Sequence, residues 1–391
     1  MYHAVMPDQG WSMQKVSLSG LSYPYYFGYD CIDRIVYDLR KYDADKFLVV
    51  TDDTVCELYG EEFLGALGRY MEIQVLSMPA GETMKSLDSV SRHLEQAIAR
   101  GATRRSVVVA FGGGVPGNLA GLMAGLLFRG VRLIHVPTTA VAAMDSVISI
   151  KQAVNSSCGK NHIGVYHAPE AVYADVRMLQ TLSDAELRSG FCEMLKNCLA
   201  IRPELIQDLR QLLASGDMAS PEALLWLLRE SLLAKLTVAG DDIKEQGPGL
   251  ILEYGHTVGH AVELGVLRMA GTSRLSHGEA VAFGMVAAAR VSAALGYLDA
   301  SIVELHEDLV AALGAPICMP QGLLSADLME LVAADSKRGY LDLAQGEAAM
   351  VLLRDAGVPA GSDKFPLVPV PMNVLGDVLT GLSVRVGSEE T

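Results

Sequence analysis

The stretch SVVVAFGGGVPGNLAGLMAGLLF, residues 106–128, limits the possible folds of this chain more than any other. Its run VVVAF has no polar side, so a strand there must be covered on both faces, as strands of a parallel sheet are. Gly112, Gly113 and Gly114 then allow a sharp turn into a helix. With Gly117 they satisfy G-x-G-x-x-G in the strand–turn–helix setting where backbone N–H groups approach a pyrophosphate; a plain tight turn is the alternative.

The same rhythm surrounds this stretch. VSLSG and YPYYFGY read as β-type runs, followed by a helix near residues 31–42, strand KFLVVTDD, a helix near 54–70, strand EIQVLSMPA and a helix near 86–100. Strands VRLIHVPTT and AVYADV come after it. Strands alternating with helices predict a parallel sheet wrapped by helices. Beyond about residue 183 the texture changes to long helical patterns, with little strand signal before AAMVLLR, and PLVPVPM reads as an extended closing segment. The expected fold is an α/β N-terminal nucleotide-binding domain with a parallel sheet, followed by a mainly α-helical C-terminal metal- and substrate-binding domain. The expected boundaries are a loose extension over residues 1–15, the first domain over 16–183 and the second over 184–391.

A length of 391 residues agrees with two domains of ordinary size. The formal charge of −15 offers no basic footprint, so nucleic acid and anionic membrane are poor partners, while a local basic pocket for a small anion stays open. Cys31, Cys56, Cys158, Cys192, Cys198 and Cys318 are scattered without a C-x-x-C pair and read as reduced thiols of a cytoplasmic protein. No apolar run reaches the roughly 18 residues of a membrane span.

Three polar motifs interrupt the apolar second half. Glu193 lies in FCEMLKN, His256 and His260 in EYGHTVGH, and His277 in SHGEA. His256 and His260 are four apart and share a helix face, with Glu263 just beyond; two core histidines capped by carbonyls is the plainer reading of such a pair taken alone. One carboxylate and two imidazoles suffice to hold a catalytic divalent metal with positions left open. Spacing alone leaves open which two histidines ligate. Glu193 and Lys196 are three apart between apolar flanks, and a buried carboxylate requires a cation. Lys151, Lys160 beside Asn161, Lys235, Lys337 with Arg338, and Arg129 are sparse cations able to line a phosphate pocket. The acidic residue expected about 20 positions after the glycine turn is missing. Asp52 and Asp53 close an earlier strand instead, and either suits an adenosine ribose. Pro116 removes one N–H from the turn.

TDDTV, PAGETMKS, GGGVPGNLAGLMAGLLFRGV, VPTTAVAAMDS, SIKQAVN, GKNHIG, LQTLSDAELRSGFCEMLKN, EYGHTVGHAVE and HGEAVAFGM together resemble the sugar phosphate cyclases, the family typified by 3-dehydroquinate synthase. The resemblance runs from about residue 25 to past residue 337. It implies NAD contacts from Asp52, Glu82, Lys85, Gly113, Gly114, Thr138, Thr139, Asp145, Lys160, Thr181, Leu182 and Glu186. It implies a zinc or cobalt ion on Glu193, His256 and His277. Lys151, Lys196, Glu253 and His260 take catalytic roles in this reading, and Asn161, Lys235 and Lys337 bind a small sugar phosphate. Arg129 reaches the phosphate, in this family usually across a homodimer interface.

Departures narrow the substrate. Where 3-dehydroquinate synthases carry an arginine that holds the substrate carboxylate, and an asparagine, just before GHT, this chain has Gly249 and Glu253. A carboxylate substrate is disfavoured, because the bidentate partner is gone and a glutamate repels it. These changes, SIKQAVN, and Asn118 in place of a common aspartate resemble the branch of the family that takes D-glucose 6-phosphate, with sedoheptulose 7-phosphate the nearest rival. The implied reaction is a transient oxidation at C4, loss of phosphate from C6, return of the hydride, ring opening and aldol closure. A net alcohol dehydrogenase and a non-catalytic binding protein on the same fold are the other readings.

Overall fold

The structure, a computed structural model, describes residues 11–383 apart from 158, 271–274, 336 and 338. Residues 1–10 of the expected extension, Cys158 and Arg338 therefore lie outside the described residues. The described chain divides into two compact units. One contains the residues up to Leu182 together with Ala219–Leu232; the other contains Ser183–Met218 and the chain from Leu233 onward. The transfer of Ala219–Leu232 to the first unit departs from the single boundary expected after residue 183, because tertiary contacts and not periodicity assign that segment.

The first unit is built on strands β1 (Trp11–Leu18), β2 (Leu21–Gly28), β3 (Phe47–Asp52), β4 (Ile73–Met78), β5 (Val107–Gly112), β6 (Arg132–Pro137), β7 (Lys151–Ser156), β8 (Gly159–Tyr166) and β9 (Ala171–Asp175). Seven of them form one sheet in the order β1-β2-β9-β6-β5-β3-β4. Only β1 runs antiparallel to its neighbour. Its pairing with β2, from Trp11 opposite Gly28 to Leu18 opposite Leu21, corrects the expected loose extension over residues 11–15. Trp11 also stacks on Tyr26, so strand pairing and an aromatic contact order a segment with little burial signal.

The apolar strands alternate as pleating requires. Phe47, Val49, Val107, Val109 and Phe111 join one core cluster, while Leu48, Val50, Val108 and Ala110 join the other. The flanking helices are α1 (Ile32–Leu39), α2 (Asp53–Tyr59), α3 (Gly65–Gly68), α4 (Leu87–Ala99), α5 (Gly114–Leu126) and α6 (Ala140–Met144). The helix expected over 54–70 is split into α2 and α3 by a π turn at Gly60–Leu64, where Gly60, followed by Gly65 and Gly68, weakens the helix. Sequence reading left SIKQAVN and GKNHIG unassigned. They form the separate antiparallel hairpin β7–β8.

The second unit is mainly helical. Its elements are α7 (Asp184–Ala200), α8 (Ile206–Ser215), the end of α9 (Pro221–Ala239), α10 (His256–Ala270), α11 (His277–Ala294), α12 (Ala300–Ala312), α13 (Ser325–Ala333) and α14 (Met372–Gly381). The closing segment supplies β13 (Leu367–Pro371), paired with β10 (Glu347–Val351), and β11 (Leu353–Asp355) pairs with β12 (Val358–Pro359). α11 is buried along nearly its whole length, which is why its sequence is alanine-rich and apolar all round. No helix among the described residues is long and apolar enough to cross a membrane. Cys31, Cys56, Cys192, Cys198 and Cys318 are free thiols.

His135 stands on central strand β6 with 2% exposure, and neither ring nitrogen has a hydrogen-bond partner among the described residues. Burial, and then nearby His167, pull its pKa from 6.5 down to about 4. A folded-state pKa below the unfolded one means the unfolded chain takes the proton first. Stability is therefore full above pH 6.5 and declines as pH falls toward 4. Urea unfolding at pH 7.5 and pH 5.5 is expected to show the wild type losing about 1 kcal/mol more than a His135→Leu variant over that interval. Equal losses in both proteins contradict this account.

Candidate functional site

In the helical unit the site grows from α7. Ser183 caps its N-terminus in a reciprocal capping box with Glu186, and two turns further along Glu193 is 1% exposed. Lys196 is equally enclosed, and its Nζ lies 2.6 Å from Glu193 Oε2. The other oxygen, Oε1, faces two imidazoles: His256 Nε2 at 3.7 Å and His277 Nε2 at 3.5 Å.

The far side of each ring shows which nitrogen holds the proton. His256 Nδ1 lies 3.1 Å from the Tyr254 carbonyl, which can only accept, so Nδ1 is the donor and Nε2 carries a lone pair. His277 Nδ1 lies 3.3 Å from Glu263 Oε2, so Nδ1 is the donor there and, in the neutral ring, Nε2 is the acceptor. Thus three lone pairs, from Glu193 Oε1, His256 Nε2 and His277 Nε2, converge. With both rings neutral, that donor set fits a divalent metal. His260 brings a third ring near: nitrogens of His256, His260 and His277 lie within 4.8 Å of one another. His260 and His277 are partly exposed, which leaves one side of the cluster open. Burial, then the Lys196 ammonium, hold His256 below its ordinary pKa; burial, then His256, do the same to His260. Both are neutral at pH 7, the form that ligation needs.

Glycine makes this convergence possible. Gly255, at φ +79°, turns the chain from a short helical turn at Pro248–Glu253 into α10. A Cβ on Gly284 of α11 would lie 1.9 Å from the Gly255 carbonyl oxygen, and one on Gly278 would lie 2.1 Å from that of Ser189 on α7. Gly278 N–H also donates to Ser189 Oγ at 2.9 Å, and Arg188 pairs with Glu279 at 2.7 Å. Ser276 and Glu279 form a capping box that starts α11 at His277.

Near His260, Lys337 is 3% exposed and contacts Glu253 Oε2 at 3.3 Å and Asp335 Oδ1 at 2.9 Å. Burial opposes its charge, yet Glu253 and Asp335 outweigh it and hold its pKa above the usual lysine value. Lys235 is buried on α9. At Gly249, a Cβ would come within 3.0 Å of both Asp242 Oδ2 and Glu245 Cγ. Asp242 accepts N–H bonds from Gln246, Gly247 and Gly249, so a folded acidic loop fills the place expected to lack an arginine.

In the sheet unit Asp52, Gly113, Gly114, Thr138 and Thr139 lie at the C-terminal ends of parallel strands, where ligands of open α/β sheets bind. Gly112 pairs with Pro137, and Thr138 N–H donates to the Gly112 carbonyl at 3.0 Å. Gly113 has no room for a side chain, since a Cβ would meet Thr139 Cγ2 at 2.9 Å. Pro116 now has an explanation: its ring lies where a Cβ on Gly112 would come within 2.7 Å, so it sits in the first turn of α5 and braces the glycine. Gly113, Gly114 and Val115 keep their N–H groups at that turn, a donor set suited to a pyrophosphate. Asp52 lies beside it, with Oδ2 at 3.7 Å from the same Gly112 position, and its Oδ1 caps α2. Asp53 instead accepts from Ser77 Oγ.

A second group clusters on the β7–β8 hairpin. Lys85 Nζ donates to Asn161 Oδ1 at 2.6 Å, Asn161 N–H to Asn155 Oδ1 at 3.0 Å, and Asn155 Nδ2 to Glu82 Oε1 at 2.8 Å. Lys160 lies 3.8 Å from the same Glu82 oxygen. Lys151 opens β7 and is partly exposed, and Asn118 Oδ1 ties α5 to the hairpin through the Ala153 N–H. Thr139 caps α6, Asp145 ends it, Thr181 bonds the Tyr59 hydroxyl at 2.6 Å, and Leu182 closes a helical turn after β9. Glu186, the last expected nucleotide contact, is engaged in the α7 cap. Arg129 is exposed and follows Phe128 in two consecutive left-handed residues, at φ +70° and +52°.

Sequence reasoning gave Tyr254 and His306 no role, and left Glu263 without one. Glu263 was within reach of a helical count, being seven residues after His256 on α10. Tyr254 was not, because it acts through its carbonyl. Substituting Gly284→Ala is expected to cost about 3 kcal/mol in urea unfolding, as overpacking against backbone does. It should also lower the zinc retained after purification. Wild-type stability in this variant would contradict the close helix contact.

Models of the 3-dehydroquinate synthase N-terminal and C-terminal domains match residues 75–189 and 190–338. The 2-deoxy-scyllo-inosose synthase of Streptomyces fradiae is 45% identical over 95% of this chain and 86% of the relative. A crystal structure of 2-deoxy-scyllo-inosose synthase complexed with carbaglucose-6-phosphate, NAD+ and Co2+ superposes with a TM-score of 0.86 at 34% identity, covering 94% of this chain and 99% of that one. A 2-epi-5-epi-valiolone synthase from Streptomyces hygroscopicus, with NAD+ and Zn2+ bound, gives 0.79 at 26%, covering 94% and 98%. With both domain models matched in order and such relatives along nearly the whole chain, this protein belongs to the 3-dehydroquinate synthase family of sugar phosphate cyclases.

Proposed function

We propose that this chain converts D-glucose 6-phosphate into 2-deoxy-scyllo-inosose with release of phosphate, the carbocycle-forming step of 2-deoxystreptamine aminoglycoside synthesis. One observation carries the substrate assignment: the 45% identity, over 95% of the chain, to an enzyme of that name. The position at Gly249, filled by Asp242 Oδ2 and the Glu245 side chain, together with Glu253 in place of the asparagine, supports a substrate without a carboxylate of its own.

NAD supplies a reversible hydride acceptor, and the divalent metal polarises neighbouring sugar oxygens. Gly113, Gly114 and Asp52 receive the dinucleotide in this reading, with Glu82, Lys85, Thr138, Thr139, Asp145, Lys160, Thr181, Leu182 and Glu186 as further contacts. Glu193, His256 and His277 hold the metal. Lys196 shares the Glu193 carboxylate and keeps that buried pair neutral before the metal arrives. Lys337, kept charged by Glu253 and Asp335, presents an ammonium to the phosphate or a hydroxyl. Lys235, Lys151 and Asn161 add further substrate contacts. His260, partly exposed beside His256 and His277, takes proton transfer or a phosphate contact in this reading, and Glu253 binds a hydroxyl or shuttles a proton.

The exposed, strained turn at Arg129 supports a homodimer in which each subunit lends this guanidinium to its partner's phosphate site. The assembly is read as a cytoplasmic enzyme.

Purified protein with NAD and Co2+ is to be given D-glucose 6-phosphate, sedoheptulose 7-phosphate and the precursor of 3-dehydroquinate in separate reactions. Phosphate release from the first alone, a product with the mass of 2-deoxy-scyllo-inosose and no net NADH are expected. NADH accumulating in step with substrate loss indicates a dehydrogenase instead. Mixing inactive Arg129→Ala and Lys196→Ala subunits should restore activity, because a mixed dimer contains one intact set; no recovery places Arg129 in its own subunit's site.

A further inference from the structure

We propose that Glu263 is a positioning residue for the metal centre, fixing through one hydrogen bond which nitrogen of His277 is free to ligate. The inference rests on the metal reading above and adds a residue outside the ligand set.

Glu263 lies on α10 and is 7% exposed, and its Oε2 stands 3.3 Å from His277 Nδ1. His277 is the first residue of α11, so its main chain is fixed by the Ser276–Glu279 capping box and by the Gly278 contact to Ser189. Its ring orientation is not fixed by those contacts. A ring flip would exchange nitrogen for carbon at the Glu193 side, and the carboxylate of Glu263 is placed to oppose that flip. An imidazole whose Nδ1–H is held by a carboxylate is also a stronger donor at Nε2, because the partial negative charge reaches the ring.

The two imidazoles are held differently. His256 is held by a neutral group, the Tyr254 carbonyl, and Tyr254 is itself anchored by its hydroxyl to His306 Nε2 at 2.8 Å. His306 Nδ1 lies 2.6 Å from the Ile302 carbonyl, so its Nε2 accepts from the tyrosine. His277 is met at Nδ1 by a charged side chain from another helix. His277, with its side chain 34% exposed against 11% for His256, is the more open of the two imidazoles.

The test compares Zn2+ affinity, measured by chelator competition, in the full-length wild type, Glu263→Gln, Glu263→Ala and, as a control, Glu193→Gln. Melting of the metal-free proteins and the visible absorption of the Co2+-loaded forms are recorded alongside. Glu263→Gln keeps the shape but loses the charge; Glu263→Ala gives water access to Nδ1 and is the easier variant to fold. Both are expected to bind Zn2+ about 10-fold or more weakly and to shift the Co2+ bands, with little change in metal-free melting. A variant at Glu263 that melts like the wild type and binds Zn2+ as tightly overturns the proposal. If Glu193→Gln also binds as tightly as the wild type, the metal site itself has been misplaced, which separates the two failures.

Discussion

Glu193 is a carboxylate set in the middle of a buried helix, and the second unit is organised around that charge. A group so enclosed must be met by positive charge or by donors. Lys196 meets one oxygen from one turn along the same helix, while His256 and His277 turn lone pairs toward the other. The first contact is stabilising as it stands. With both rings neutral, the second becomes stabilising when a cation is added, as the proposed metal would be.

Bringing α7, α10 and α11 so close demands that backbone meet backbone. Gly255, Gly278 and Gly284 provide that contact, and Gly259, whose Cβ would lie 3.0 Å from the Ala280 carbonyl oxygen, extends it. The sheet unit uses the same residue for a different purpose. There Gly112 and Gly113 clear space for Pro116 and Thr139 at the strand ends, leaving N–H groups aimed outward for an anion. In both units glycine lets fixed polar groups converge where side chains would hold them apart.

Much of this was legible in the chain itself, and the parts that were share a local cause. KFLVVTDD and SVVVAF read as strands between helical patterns, and their residues enter core clusters on both faces of the sheet. The proposed metal ligands stood out because each lies in a short polar motif within apolar sequence. What sequence alone did not show depends on partners distant along the chain. The β7–β8 hairpin has mixed, partly exposed residues, so its pattern names no face. Residues 11–15 are ordered by pairing with β2, and periodicity does not record a partner. Glu263 lay on the correct helical face, but its target, His277, begins another helix. Pro116 had no meaning until its ring was seen against Gly112.

The central claim is that the metal belongs to Glu193 Oε1, His256 Nε2 and His277 Nε2. Anomalous diffraction at the metal edge, from crystals grown with Zn2+ or Co2+, tests it directly. The account predicts a single ion at about 2.0–2.2 Å from these three atoms, with His260 outside bonding distance. An ion held by His256, His260 and His277, with Glu193 left on Lys196 alone, would contradict it.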